Sequence, residues 1–302
     1  MKKIGIVVSF NSAEHLTRLI KELHCAGFDR IIVVDNGSEH SQVRKAEEIG
    51  SGFASVRLIS TGVNLGFGAA VNRGLSSLVD EDEALVCLVN PDTYFLADDV
   101  RRLLRLFQDS PVDLASPRLT TRRCGLQVDW YSGGRILFDE QRIKMRQSFG
   151  THTEHRAVRD VTFLPATFMV GYLNTFRRVG CFREDFFMYW EDADFCQRAL
   201  QTGFRMGVLS SVAFFHEVGS SSGLHTRKSS DYFYYMSRNR SLFFSEHGSQ
   251  NQRATMRVSF YYALFLLRAV WADRGFGSRL RGALDGLRDA RAGRAGARRV
   301  GS

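Results

Sequence analysis

Apolar residues run almost unbroken over residues 4–10, 31–34, 56–59 and 85–89, and Ile and Val dominate those runs. Continuous β-branched stretches of this length suit strands covered on both faces, as in a parallel sheet. Between them the period changes. Leu16, Leu19, Ile20 and Leu23 recur at helical spacing within residues 12–25, with Asn11 or Ser12 as the cap. Residues 42–49, 69–78 and 100–107 read as further helices. Strand–helix alternation predicts βαβ units with right-handed crossovers and a mainly parallel sheet.

Beyond about residue 115 the pattern loosens. Residues 114–119, 133–137 and 161–170 read as strands, some of them antiparallel, and residues 194–202 and 232–247 as helices. Residues 142–159 are polar and unpatterned, which predicts a flexible loop on the acceptor side. Residues 258–270 are almost wholly apolar but shorter than the roughly 20 residues a bilayer span needs. They suit a buried core helix or, next to a basic tail, a helix lying in a membrane interface.

With 302 residues the chain can bury one large α/β core or two small ones. Its five cysteines show no C-x-x-C spacing, which argues against a zinc site or disulfide framework and for a reducing cytoplasm. Lys2 and Lys3 precede an apolar run that Asn11 ends early, so no signal peptide is expected. The net charge of +9 is uneven: residues 273–302 hold eight arginines against three aspartates, a local +5. An apolar helix beside such a tail points to an anionic membrane surface. No zinc finger or RNA-binding signature points to nucleic acid.

The chemistry gathers at residues 186–198. Glu191, Asp192 and Asp194 stand directly behind Phe186, Phe187, Met188, Tyr189 and Trp190. Carboxylates against apolar walls gain proton affinity, as a general base near neutral pH requires. Acids in the first turn of a helix are equally favoured by its dipole, and both descriptions can hold together. Three predicted strand ends carry small polar or acidic residues: Asn11, then Asp35-Asn36-Gly37-Ser38, then Asn90-Pro91-Asp92. Ligands bind at such carboxyl ends in open parallel sheets. Asp35 could accept from a pyrimidine imide N–H, or its motif could be only a tight turn. Asn64, Gly66, Gly68 and Asn72 lie in a glycine-rich stretch that opens a helix. Val71 replaces the third glycine of a dinucleotide loop, and the stretch follows the wrong strand for one, which weakens a dehydrogenase assignment. Asp92 could hold a divalent cation or cap the next helix, and His216 could be a second ligand or a structural histidine.

Taken in order, Asn11, Asp35-Asn36-Gly37-Ser38, Asn64-Leu65-Gly66, Asn90-Pro91-Asp92, Glu191-Asp192-Ala193-Asp194 and His216 resemble the family 2 glycosyltransferases. The nearest branch is the bacterial rhamnosyltransferase-like one, which Arg238-Asn239-Arg240 also resembles. The resemblance covers residues 3–247 and implies a GT-A (nucleotide-diphospho-sugar transferase) fold. That is an α/β architecture, its mainly parallel sheet flanked by helices, here with a C-terminal helical extension. It implies an inverting enzyme in which Asp192, with Glu191, activates the acceptor hydroxyl. Asn11, Asp35, Asn36, Asn64, Gly66, Asn72, Asn90 and Arg238 would bind the nucleotide donor, although an interior salt bridge is an alternative for Arg238. Asp92 and His216 would hold Mg²⁺ or Mn²⁺, and Trp190 and Asp194 would meet the acceptor. Asn90 stands where many relatives carry the first acid of an Asp-x-Asp motif, so the ribose contact is weakened to an amide.

The expected organisation is a transferase domain over residues 1–250, with a nucleotide half at 1–115 and an acceptor half at 116–250, followed by a basic helical extension over 251–302. The expected donor is dTDP-rhamnose, or a UDP-sugar. The expected acceptor is a glycan, lipid-linked through polyprenyl diphosphate or at the cell surface. The protein would sit peripherally on the inner face of the cytoplasmic membrane, without nucleic acid, as a possible homo-oligomer. A non-catalytic nucleotide-sugar-binding module is the alternative, and Asp92, Glu191, Asp192 and His216 together argue against it. A nucleotidyltransferase would carry a basic, glycine-rich motif straight after strand 1, which this chain lacks.

Overall fold

The structure, a computed structural model, describes residues 1–79, 81, 83–146, 158–217, 229–248 and 276–298. The chain opens as β1 (Lys3–Ser9), α1 (Ala13–Cys25), β2 (Arg30–Asp35), α2 (His40–Ser51), β3 (Val56–Ser60), α3 (Phe67–Ser76), β4 (Leu85–Val89), β5 (Thr93–Tyr94) and α4 (Ala97–Gln108). β1 lies between β2 and β4, parallel to both, and β3 runs parallel along β2. Every residue of β4 is buried, whereas the edge strand β3 is half exposed, as a sheet covered by helices on both faces requires. A Cβ on Gly74 would sit 2.7 Å from Ile6 Cγ2, so glycine lets α3 lie close on the sheet.

The second half adds β6 (Leu114–Arg123), β7 (Leu126–Tyr131), β8 (Gly134–Leu137), β9 (Arg142–Met145), β10 (Val158–Asp160), β11 (Phe168–Tyr172), α5 (Leu173–Val179), α6 (Glu191–Gln201), β12 (Met206–His216), α7 (Ser230–His247) and α8 (Phe276–Arg291). One sheet spans both halves, in the order β10-β12-β6-β11-β4-β1-β2-β3, with β5 on β12 and β7 on β6. β11 inserts antiparallel between β4 and β6, and β12 returns parallel to β6.

Two expectations need correction. The strand predicted over 161–170 is broken: β10 ends at Asp160 and β11 begins at Phe168, with an isolated bridge from Phe163 to Gly134 between them. Pro165 lies in the gap and has no N–H for a ladder. The loop predicted over 142–159 contains β9, which forms a two-stranded ribbon with β8, and ends in β10. Residues 147–157 lie outside the described residues, as does the apolar stretch 258–270.

α8 packs on α7 through small residues. Cβ atoms on Gly282 and Gly286 would each come within 2.3 Å of a backbone oxygen, of Ser230 and Tyr234 respectively. The tail is partly self-neutralised: Arg288 pairs with Asp285, Arg294 with Asp289, and Arg298 with Asp231 and Asp285. No helix among the described residues is long and apolar enough to cross a membrane.

Candidate active site

Because β1, β2 and β4 are parallel, their carboxyl ends open on one edge of the sheet. Ser9 and Asp35 are register partners there. Asp35 is buried, and its carboxylate accepts from the Ser38 N–H at 3.4 Å. The turn after it is held by Asn11, whose N–H donates to Ser38 Oγ and whose Oδ1 accepts from the Glu39 N–H. Asn36 turns inward: its Nδ2 donates to Asn64 Oδ1 and the Gly66 carbonyl, and its Oδ1 accepts from the Leu65 N–H. Asn64 Oδ1 also accepts from the Gly66 N–H. Asn36 therefore shapes the β3–α3 loop, a correction to its expected donor contact. Asn72 needs the same correction. Its amide bonds the Phe182 N–H and carbonyl and the Glu184 carboxylate, tying α3 to the chain that leads toward α6.

At Gly66 the two halves of the cleft touch. Its φ is +88° with ψ 166°, a region essentially reserved for glycine. An added Cβ would lie 2.4 Å from the Phe187 carbonyl oxygen, which accepts from the Phe67 N–H at 2.8 Å. Gly66→Ala is expected to destabilise the fold by about 2 kcal/mol or more, measured by urea unfolding. An unchanged midpoint would show that this contact yields freely.

Asp92 and His216 come together from β4 and β12, because His216 is the register partner of Thr93. Both are buried, with His216 Nε2 3.4 Å from Asp92 Oδ1. His216 packs edge-on to Trp130, and its Nδ1 is buried without a hydrogen-bond partner. A carboxylate oxygen and an imidazole nitrogen this close are donors that would suit Mn²⁺ or Mg²⁺. Among the described residues no group of three or more such side chains forms. Asn90 is half-buried beside them, and its N–H donates to the Thr167 carbonyl.

α6 begins at Glu191, three residues earlier than predicted, so all three acids occupy its first turn. Glu191 is buried and its Oε2 has no hydrogen-bond partner. Burial, then the charge of Asp192, pushes its carboxyl well above the ordinary range. Asp192 is half-buried, and burial pushes its carboxyl up to about 6 against the opposing pull of N–H donors from Ala193, Ala166 and its own backbone. It is the one acid of the three that combines solvent contact with a raised proton affinity.

The other expected acceptor contacts do not face an acceptor. Asp194 is fully buried in an ion cluster, 2.8 Å from Arg198 Nε, 2.9 Å from His247 Nε2 and 3.6 Å from Arg183. Trp190, 5% exposed, packs against Phe243 and Phe244. Arg238 is also fully buried. Its guanidinium donates to the carbonyls of Asp185, Phe186 and Gly296 and to Asn239 Oδ1, so it is sequestered from any diphosphate. Asp194 and Arg238 found polar partners inside the protein, and Trp190 packs its ring there while its Nε1 has no hydrogen-bond partner.

The sequence alone assigns no role to the Ala166 amide, Trp130, His247 or Asn239. Only Asn239 left a signal, as a polar neighbour of Arg238 in a helix of large apolar residues. The loop it faces is unusual: Phe187, Tyr189 and Trp190 have φ of 63°, 65° and 73°. Each such non-glycine residue costs about 1–3 kcal/mol and persists only where its surroundings enforce it.

The arrangement has three parts: strand-end loops around a buried acid, an acid–imidazole pair, and a half-buried carboxylate of raised proton affinity. The model of the family described as glycosyl transferase family 2 matches residues 6–179. The chain belongs to that family. The matched stretch ends before Glu191, so the acids of α6 lie outside it. The low-salt glycan biosynthesis hexosyltransferase Agl10 of Haloferax volcanii is 27% identical over 213 residues, covering 70% of this chain and 66% of that protein. The chain thus spans just under two thirds of that relative. The N-acetylglucosaminyl-diphospho-decaprenol L-rhamnosyltransferase of Mycobacterium tuberculosis is 27% identical over 245 residues, covering 72% of this chain and 76% of that one. The transferase has a GT-A-like fold. It superposes on the mannosyltransferase PcManGT from Pyrobaculum calidifontis, solved with GDP-Man and Mn²⁺, with a TM-score of 0.56 and 14% identity, covering 100% of this chain and 76% of that one. S. aureus TarS with UDP-GlcNAc gives a TM-score of 0.55 and 15% identity, covering 97% and 93%.

Proposed function

We propose that this transferase moves L-rhamnose from dTDP-rhamnose onto a hydroxyl of a lipid-linked glycan, with inversion at the anomeric carbon. The observation that carries the chemistry is Asp192, a half-buried carboxylate pushed up to about 6 at the start of α6. The acceptor oxygen forms a bond to the anomeric carbon as the bond from that carbon to the diphosphate breaks. The electron pair leaves with the diphosphate, and the acceptor proton passes to Asp192. Asp35 would accept from the pyrimidine imide, with Asn11 and Asn64 near the nucleoside. Asp92 and His216 would hold Mg²⁺ or Mn²⁺, which when bound offsets the charge of the departing diphosphate.

Rhamnose and a polyprenyl-diphosphate-linked acceptor are supported by the name of the mycobacterial relative. Such an acceptor lies at a membrane surface, which would make the enzyme peripheral on the cytoplasmic face. The Haloferax volcanii relative is named a hexosyltransferase, which keeps another hexose as the second choice of donor sugar, tested as UDP-hexoses. A donor screen decides between them: dTDP-rhamnose, UDP-glucose, UDP-galactose and UDP-N-acetylglucosamine are each incubated with Mn²⁺ or Mg²⁺, with and without chelator. Chelator-sensitive turnover of dTDP-rhamnose alone is the expected result. Turnover of a UDP-sugar would overturn the donor and keep the mechanism. Failure of all four to bind would overturn the function.

A further inference from the structure

Asn239 has no part in the transfer chemistry described above, yet it is fully buried and directed at the loop that delivers the acids. Its Nδ2 donates to three backbone carbonyls, of Phe186 at 2.8 Å, Met188 at 2.7 Å and Tyr189 at 2.8 Å. An amide nitrogen has two hydrogens, so one of them is shared between two carbonyls. The orientation of the amide is fixed from its other end, because Oδ1 accepts from Arg238 Nε at 2.8 Å. Arg238 then carries the same grip one residue upstream, donating to the carbonyls of Asp185 and Phe186. The C-terminal segment closes the arrangement from outside. The Gly296 N–H donates to the Asp185 carbonyl at 2.7 Å, and its own carbonyl accepts from Arg238.

The held carbonyls, of Asp185, Phe186, Met188 and Tyr189, run through the same stretch as the left-handed residues Phe187, Tyr189 and Trp190. Those residues carry a Cβ and leave that conformation unless held in it. Trp190 is also the residue whose carbonyl starts α6, accepting from the Asp194 N–H at 2.9 Å. The direction of the first turn, and so the position of Asp192, therefore depends on the loop's backbone angles.

We propose that Asn239, oriented by Arg238, is a positioning residue that holds the 186–190 loop in its left-handed course and thereby sets where the Asp192 carboxylate meets the acceptor hydroxyl. The proposal rests on Asp192 being the base. Cutting a side chain that places the base, while the nucleotide loops on β1, β2 and β4 are left alone, separates catalysis from donor binding. A role in stability alone would lower the fraction of folded molecules and leave each folded molecule as active as before.

The test uses the full chain, with turnover of the nucleotide sugar that the donor screen identifies and titration with its nucleoside diphosphate to count binding-competent sites. Asn239→Ala is expected to lower kcat per binding site about 30-fold while the donor KM stays within about threefold, the size of effect that slight misplacement of a reacting group produces. An unchanged kcat per binding site would overturn the proposal. If Asn239→Ala binds no nucleotide, Arg238→Lys decides. It keeps the charge but loses the forked grip and the bond to Oδ1, and a drop of about fivefold or more at constant donor KM supports the proposal. No drop overturns it. Asp192→Asn is run in parallel: if it retains activity, the base assignment has failed, whereas an inactive Asp192→Asn beside an unaffected Asn239→Ala fails this proposal alone.

Discussion

Replacement of Asp192 by Asn is expected to lower kcat about 10³-fold and to leave the donor KM within about threefold, since general-base assistance contributes about 10²–10⁴. The amide has nearly the same shape, and its oxygen can still accept from the Ala193 and Ala166 N–H groups that now bond the carboxylate. What it cannot do is take a proton. Steady-state kinetics with the screened donor check this, and retention of more than about a tenth of the activity would remove Asp192 as base.

The pH profile follows from the same environment, with the sign set by the raised proton affinity. The base form of Asp192 appears only above about 6. The kcat/KM value is therefore expected to fall roughly tenfold per pH unit below that point, and Asp192→Asn to lose this acid limb along with most of its rate. Glu191 next to it is pushed up further in direction by burial and by the charge of Asp192. Two adjacent acids in a poorly solvated site do not both ionise readily, which favours the more accessible Asp192 as the proposed base. In stability terms a raised folded-state affinity works the opposite way to an ion pair. Stability is full while the acid is protonated and declines as pH rises from the unfolded carboxyl value through about 6.

The parallel half of the fold was legible because its signal is redundant. Four apolar strands and the helices between them carry two different periods, and each element found at residues 3–108 overlaps a predicted one except the two-residue β5. The second half mixes antiparallel strands with short ribbons, where burial on one face leaves only weak alternation. Arg142 to Met145 alternates polar and apolar residues in four positions, too few to stand out from loop. Pro165 was the visible sign that the run over 161–170 could not be one strand.

The site divides along a different line. Strand-end acids and the Asp92–His216 pair could be picked out because topology alone carries strand ends to one edge. Asn36, Asn72, Asp194 and Arg238 could not be sorted, because a polar residue in a motif looks the same whether it faces ligand or backbone. Which way each one turns is decided by partners distant in sequence, such as Phe182 for Asn72 and Gly296 for Arg238. Left-handed backbone in Phe187, Tyr189 and Trp190 had no sequence sign either, since glycine, its usual marker, is absent there.

The largest expected loss of stability comes from Asp194→Ala, at about 3–5 kcal/mol, the usual cost of removing one partner from a buried ion cluster. Arg198 could not follow the lost charge into water, because its other nitrogens donate to the carbonyls of Val179 and Cys181. Alanine would leave that guanidinium, and His247 beside it, facing a cavity. Burial alone would raise the Asp194 carboxyl, but the His247 hydrogen bond and the Arg198 and Arg183 charges outweigh it and hold the group below its ordinary value. A lowered folded-state value means stabilisation that is present above the unfolded carboxyl range and lost as pH falls through the folded one. The difference between wild type and Asp194→Ala is therefore expected to be largest near neutral pH and to shrink toward pH 3, as urea unfolding at several pH values would show. A neutral-pH difference below about 1 kcal/mol would mean the cluster relaxes without Asp194. Because Asp194 sits two residues past the proposed base and its partners are all internal, its loss should show first as a loss of folded protein. That separates it from Asp192, which should lose rate and keep its fold.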